Sequence, residues 1–414
     1  MTVTAPAMEP SASVTALERR VFDRIGVPSR ELMRFLDWVG ARPTEAQLAT
    51  FRTYTKMGDA LADDLVAAMS TLPKGLGRKQ FNDALDHGIE TVEDPLPELV
   101  AFIREAESTP YWVDFRKIAR AQRALRDTPV RLSFVGSLAV TLPASFLNER
   151  GGNELLARAG GVDNASAARL VDAASWMFSC GRPGGMDRFG DGFKATVRVR
   201  LIHAYARQGA RRAADWDDDA LDCPAGQAQT AAGWVPILAG SLSLVAFGAI
   251  GSPADLKAVL HLWRYQSHLM GVRPELQVDS LTELARLAYL ILLTDGGSDH
   301  HTGHLTHATL DAVPEVYGLP RSGPLVGTLR WAFRRFHAEI AGIAYGRQRK
   351  KFDLPAPSPL LLVVPFFTVY NLAAAGVRRL SPAARARFER RQSQILDAAI
   401  ERTRPKSILE YARP

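Results

Sequence analysis

Residues 194–207, KATVRVRLIHAYAR, decide how the rest of the chain is read. Taken as a helix, the stretch puts positions 196, 199/200, 203 and 206/207 on one face. That face carries His203, with Arg200 one turn before it and Arg207 one turn after. Val197, Val199, Leu201 and Ile202 are apolar, so the helix is expected to be largely buried. An imidazole between two guanidiniums has two readings. It is a hydrogen-bonded core histidine with arginines reaching solvent, or it is a metal ligand whose arginines pair with an anion. A haem meets the second reading, since its iron takes a neutral imidazole and its propionates take arginine forks.

Outward from this stretch, the chain is long enough for a large core, at 414 residues with 47% hydrophobic and 23% charged side chains. The net charge of +7 is modest for that length and does not indicate nucleic-acid binding. Two cysteines, Cys180 and Cys223, make neither a disulfide framework nor a paired metal motif. With no apolar signal core near the N-terminus, the expected location is cytoplasmic. The uncharged stretches 223–254 and 354–377 are interrupted by glycines and prolines, and are expected to be buried core segments. Peripheral membrane contact, above all by the second, is the alternative.

Residues 1–14 are rich in Ala, Ser, Thr and Pro and read as a disordered tail. Helical periodicity then runs over 15–25, 29–39, 44–70, 95–107, 114–126, 129–147, 152–160, 165–178 and 193–208. It resumes over 226–249, 253–270, 278–294, 323–346, 359–376 and 382–402. Thr44 is placed to cap the third of these helices. Strand alternation, a βαβ rhythm, internal repeats and phosphate-binding glycine loops are not found. The expectation is an all-α protein with one large domain over 15–414.

Several motifs, in order, carry a family resemblance. TPYWVDF (109–115) comes first, then AARLVDAASWMF (167–178) and VRVRLIHAYAR (197–207). PAGQAQTAAGW (224–234), LAGSLSLVAFGAIGSP (238–253) and VLHLWRYQSHLMGVRPEL (259–276) follow. Together they resemble the latex-clearing-protein and MpaB-type haem oxygenases over about 95–295. The resemblance implies a globin-like helical core with additional N- and C-terminal helices, one haem b, and O2 chemistry on an apolar, isoprenoid-like or aromatic substrate. His203 then sits where the family places its proximal iron ligand, with Arg200 and Arg207 assigned to the propionates. Arg169 matches a distal arginine of the rubber-cleaving members. Their Lys and Thr one turn later are Asp172 and Ala173 here. Glu154 lies near the position of a further family glutamate. These departures put polyisoprene cleavage itself in question. An electron donor is implied unless the reaction is a dioxygenation.

Other candidates have plainer readings. Asp299, His300, His301, His304 and His307 can hold a divalent metal, with His300, His304 and His307 on one helix face. Neighbouring Gly296, Gly297 and Gly303 favour an exposed loop of solvated histidines instead. Cys180 lacks the surroundings of a thiolate haem ligand. The basic runs 347–351 and 378–391 read as solvated faces, or as docking surfaces for an anionic membrane or a reductase. Two competitors to the oxygenase stay open: a non-catalytic haem or gas carrier, and a haem-free lipid-binding helical module.

Overall fold

The computed structural model describes residues 17–18, 34, 36–148, 150–158, 173, 175–213, 215–249, 251–294 and 297–403. The expected tail, most of the helices at 15–25 and 29–39, and the part of 165–178 carrying Arg169 and Asp172 lie outside these residues. Among the described residues every regular element is helical and no strand occurs.

The chain begins with α1 (Glu45–Thr55), α2 (Ala60–Met69), α3 (Leu76–His87), α4 (Pro97–Glu107) and α5 (Phe115–Arg126). Thr44 caps α1 as expected. Its hydroxyl accepts from the Gln47 amide at 3.2 Å, and the Gln47 side chain accepts from the Thr44 amide at 2.9 Å. The single helix expected over 44–70 is instead two. Asp59 starts α2 by accepting from the Ala62 amide, and a capping carboxylate at the break is locally competitive with a continuous helix. Periodicity did not single out α3.

Next come α6 (Val130–Val135), a π-helical segment (Gly136–Thr141), α7 (Leu142–Asn148) and α8 (Arg150–Arg158). The 22-residue α9 (Asp191–Arg212) follows, with Asp191 in its first turn and Arg211 and Arg212 in its last, all favourable to its dipole. Beyond it lie α10 (Asp218–Leu221), α11 (Gln227–Ala232), α12 (Trp234–Ala246), α13 (Pro253–Leu269) and α14 (Leu281–Thr294). The helix expected over 226–249 is divided at Gly233. The π segment packs on α12 at two glycines. A Cβ on Gly240 would stand 2.1 Å from the Thr141 hydroxyl, and one on Gly136 would stand 3.0 Å from the Gly240 carbonyl.

The last elements are α15 (His300–Val316), α16 (Val326–Tyr345), α17 (Val363–Leu380) and α18 (Pro382–Thr403). The expected histidine loop is therefore the first turns of α15. Asp299 accepts from the amides of His301 and Thr302 at 2.9 and 2.8 Å, and Thr302 returns a bond to the Asp299 amide at 3.0 Å. This capping box outweighs the glycines that suggested a loop.

Among the described residues the buried apolar side chains form one large core and several smaller ones. The large core joins α1 to α5 with α9, α11, α13 and α14 through residues such as Leu48, Leu65, Phe102, Phe193 and Leu262. Two of the smaller ones gather α6, α7, α15, α16 and α18 around Phe134, Leu310, Val313 and Tyr345. The second uncharged stretch does not behave as expected. α17 has no buried residue, and Leu362, Phe366, Val369, Tyr370 and Val377 face outward along one side. The segment Pro359–Leu380 is long and apolar enough to cross a membrane, yet only 6% of it is buried. The comparable segment Val130–Leu147 is 56% buried and serves as a core helix.

Candidate functional site

α9 presents the three residues that its sequence singled out. Arg200 is buried, but its guanidinium is engaged. Its Nε donates to Asp59 Oδ2 at 2.6 Å and its Nη1 to Glu105 Oε2 at 2.5 Å, while the guanidinium lies 4.8 Å from the Phe102 ring centre. Arg207 donates to Asp63 at 2.7 Å and to the Ala225 carbonyl at 2.6 Å. The expected propionate role is therefore not what these side chains do here. They bind carboxylates of α2 and α4, so they fasten α9 to the N-terminal helices. Arg200 and Arg207 lie two turns apart on α9, and Asp59, the cap of α2, lies one turn before Asp63; the matching of these two helix faces was the unread signal.

His203 differs. Burial and the nearby Arg207 charge lower its pKa to about 4, against a smaller opposing effect of Asp59, so the ring is neutral at pH 7. It is half-buried, and no described residue hydrogen-bonds its nitrogens. A neutral imidazole whose nitrogens no described residue occupies fits an iron ligand. Arg200 is committed to Asp59 and Glu105 in this arrangement and does not fit the propionate task, whereas Arg207 keeps one buried donor, Nη2, without a hydrogen-bond partner.

Glu154, on α8, is held by Arg158 at 2.7 Å and by His301 at 2.9 Å. Burial pushes its pKa up, but these two partners outweigh burial and hold the carboxyl below its usual range. It is thus an ionised carboxylate with both oxygens engaged. Among the described residues, the possible metal-ligating group is Glu154, His300 and His301, whose ligand atoms lie within 4.8 Å of one another. This replaces the expected set on one α15 face, because His307 instead meets the Phe352 carbonyl at 2.9 Å. Cys180 is fully buried and its thiol is pushed up to about 12 by burial, so it stays protonated.

A cavity of about 870 Å³ opens between the large core and the small core around Phe134. Its walls come from the end of α5, the α6–π–α7 run, residues 173, 176–178 and 181–183, and parts of α12, α13, α15 and α18. Phe134, Leu138, Trp176, Phe178, Leu244 and Trp263 make it mainly apolar. Trp176 links it to α9, since its indole N–H donates to the Thr196 hydroxyl at 2.9 Å. Thr196 and His203 are two turns apart on α9, about 10 Å along the axis. His203 is not among the described lining residues. The TPYWVDF motif does not line this cavity either. Trp112 packs edge-on against His261 of α13 at 5.7 Å, and the Asp114 amide donates to His261 Nε2 at 2.9 Å. Arg126 is a lining residue that the sequence did not reveal.

The family described as "ER-bound oxygenase mpaB/B'/Rubber oxygenase, catalytic domain" matches residues 128–375. The match starts later and runs further than the resemblance read over about 95–295. A solved structure, "Structure of Latex Clearing Protein LCP in the closed state", superposes with a TM-score of 0.59 at 19% identity, over 83% of this chain and 90% of that one. No curated protein matches the chain.

Proposed function

The chain belongs to the family of mpaB and rubber-oxygenase catalytic domains, and from that premise we propose that it is a haem-b oxygenase acting on an apolar substrate with O2. The observation that supports this reading most is the apolar cavity walled by Trp176 and Trp263 and tied through Thr196 to the helix of His203. In this reading His203 holds the iron, and the bound haem supplies O2 binding and activation. The protein's own residues position the chemistry. The cavity removes an alkene-bearing or aromatic chain from water, and its size suits a small molecule better than a polymer strand. Arg169, with Asp172, is assigned the distal polar role. Glu154 contributes charge rather than a proton, since Arg158 and His301 keep it ionised. An electron donor is required unless both oxygen atoms enter the product.

Absorption spectra of the purified protein, oxidised, reduced and with CO, test this beside His203→Ala. A Soret band that shifts or vanishes in the variant supports the reading, and a protein that stays colourless after haem reconstitution refutes it. Arg169→Ala should then lose turnover while keeping its haem. That outcome separates an enzyme from a gas carrier.

A second reading has its own observation. Arg200 and Arg207 are already paired with carboxylates, which favours a haem-free module that holds a lipid in the same cavity. The colourless result above selects it.

We further propose that α17 rests on an anionic bilayer from the cytoplasmic side. Its outward face is apolar, and its inner side is fastened to α12. Thr368 donates to the Ala246 carbonyl at 2.6 Å and Asn371 to the Phe247 carbonyl at 2.8 Å. A helix bonded to the protein along one side lies in the interface rather than across it. Arg379 near the end of α17 and Arg387 and Arg391 on α18 are exposed, which suits anionic headgroups.

A further inference from the structure

Arg126 closes α5 at the edge of the apolar cavity. Its Nε and Nη1 are sealed from solvent and make no hydrogen bond. A guanidinium cannot shed its charge, and leaving its donors buried and unmet is costly. Among the described residues, three acidic side chains of this region are engaged elsewhere. Asp127 and Glu389 both pair with Arg385, at 3.4 and 3.2 Å. Asp397 pairs with Arg182, which also lines the cavity, at 3.3 Å. Arg390 adds a further cation to the lining. The cavity therefore combines a long apolar wall with one unsatisfied cationic end.

We propose that the cavity binds an amphiphile, an apolar chain with an oxyanion head, and that Arg126 receives the head. This rests on the cavity being the substrate site, and it narrows the substrate from any apolar alkene to an acid. Nε and Nη1 lie on different edges of the planar guanidinium, so the head takes a charge-assisted N–H···O bond from one of these open donors, stronger than any bond a neutral head can accept there. The apolar chain then lies along the π segment, toward Trp176 and Trp263. The same chemistry can be supplied by a haem propionate, so the two sources must be separated.

The test uses the full chain, haem-free and haem-loaded. A fluorescent long-chain carboxylate is bound and displaced by hexadecanoate or by hexadecanol. The acid should displace it roughly tenfold to hundredfold more tightly than the alcohol, the range of a charge-assisted hydrogen bond. In Arg126→Gln the acid and the alcohol should become nearly equal, with alcohol affinity unchanged. In Arg126→Lys part of the preference should remain, and circular dichroism confirms that both variants are folded. Equal affinities in the original protein, or an undiminished preference in Arg126→Gln, overturn the proposal. Carboxylate binding that persists in the haem-loaded protein supports a substrate head. Displacement by haem, with haem retention weakened in Arg126→Gln, assigns the anion to the cofactor and overturns the substrate head. The haem-free arm needs no turnover, so a failed oxygenase reading leaves it intact.

Discussion

Arg200→Met separates a structural arginine from one that grips a cofactor. In the folded chain Arg200 forks onto Asp59, which is 8% exposed, and reaches Glu105, whose side chain is 39% exposed. Removing the guanidinium returns Glu105 to water at little cost but strands Asp59 as a buried, unpaired charge. Breaking a buried pair from one side costs about 3–5 kcal/mol. Unfolding entropy near about 2.1 cal/mol/K per residue, taken over 414 residues, converts that loss to a melting temperature lower by roughly 3–6 °C. The double variant Arg200→Met/Asp59→Asn should recover most of it, because it removes both charges while Asn keeps the cap on α2. The assay is thermal unfolding of the haem-free protein, with haem retention measured in parallel. An unchanged melting temperature in Arg200→Met, accompanied by loss of haem, would refute the argument and restore the propionate role.

Three more outcomes follow from particular contacts. Gly271 has φ +73°, and a Cβ there would stand 2.4 Å from Asp59 Oδ2 and 2.5 Å from Arg200 Nε; Gly271→Ala should destabilise by at least the roughly 1 kcal/mol of backbone strain, read by urea titration. Burial lowers the pKa of His337 to about 4, against about 6.5 in an unfolded chain. The unfolded state thus binds the extra proton between those values, so stability is full above about pH 6.5 and falls as pH drops toward 4. Urea midpoints of the haem-free protein should trace that fall, and His337→Gln should make it shallower; parallel slopes would remove His337 from the account. Phe366 is 72% exposed on α17, so Phe366→Asp should leave the melting temperature within about 1 °C yet abolish flotation with anionic vesicles. Flotation that persists would discard the α17 surface.

The all-α class and most helix positions were legible because periodicity and caps are local. Thr44 and α9 are the clearest cases. What failed was mostly a contest between local signals. Asp59 divided an apparently continuous helix, Gly233 divided another, and the Asp299 capping box turned a glycine-rich loop into a helix start. α17 failed for a different reason. Its lack of charge reads the same whether its neighbour is protein or lipid, and only tertiary placement separates the two. At the site, the sequence could select His203, Arg200 and Arg207 but not their partners. Pairing with Asp59 and Asp63 is a long-range contact between helices, invisible to a window that spans one of them. Arg126 was missed because an orphaned donor is defined by what surrounds it.

The partners of α9 also bear on how the family resemblance transfers. The family match covers residues 128–375, whereas Asp59, Asp63 and Glu105 all precede it. The arginines flanking His203 belong to the shared part, and the carboxylates that occupy them do not. Within the matched residues Arg207 meets the Ala225 carbonyl, and the residues before the match commit Arg200 to Asp59 and Glu105 and Arg207 to Asp63. If haem binds, either the propionates displace these carboxylates or a cation elsewhere receives them. Displacement would free α2 and α4 from α9, and the stability of the N-terminal helices would fall on haem loading. A cation elsewhere leaves the ion pairs intact and makes haem binding purely stabilising. Hydrogen exchange over α2 and α4, with and without haem, distinguishes the two, since only the first loosens their amides.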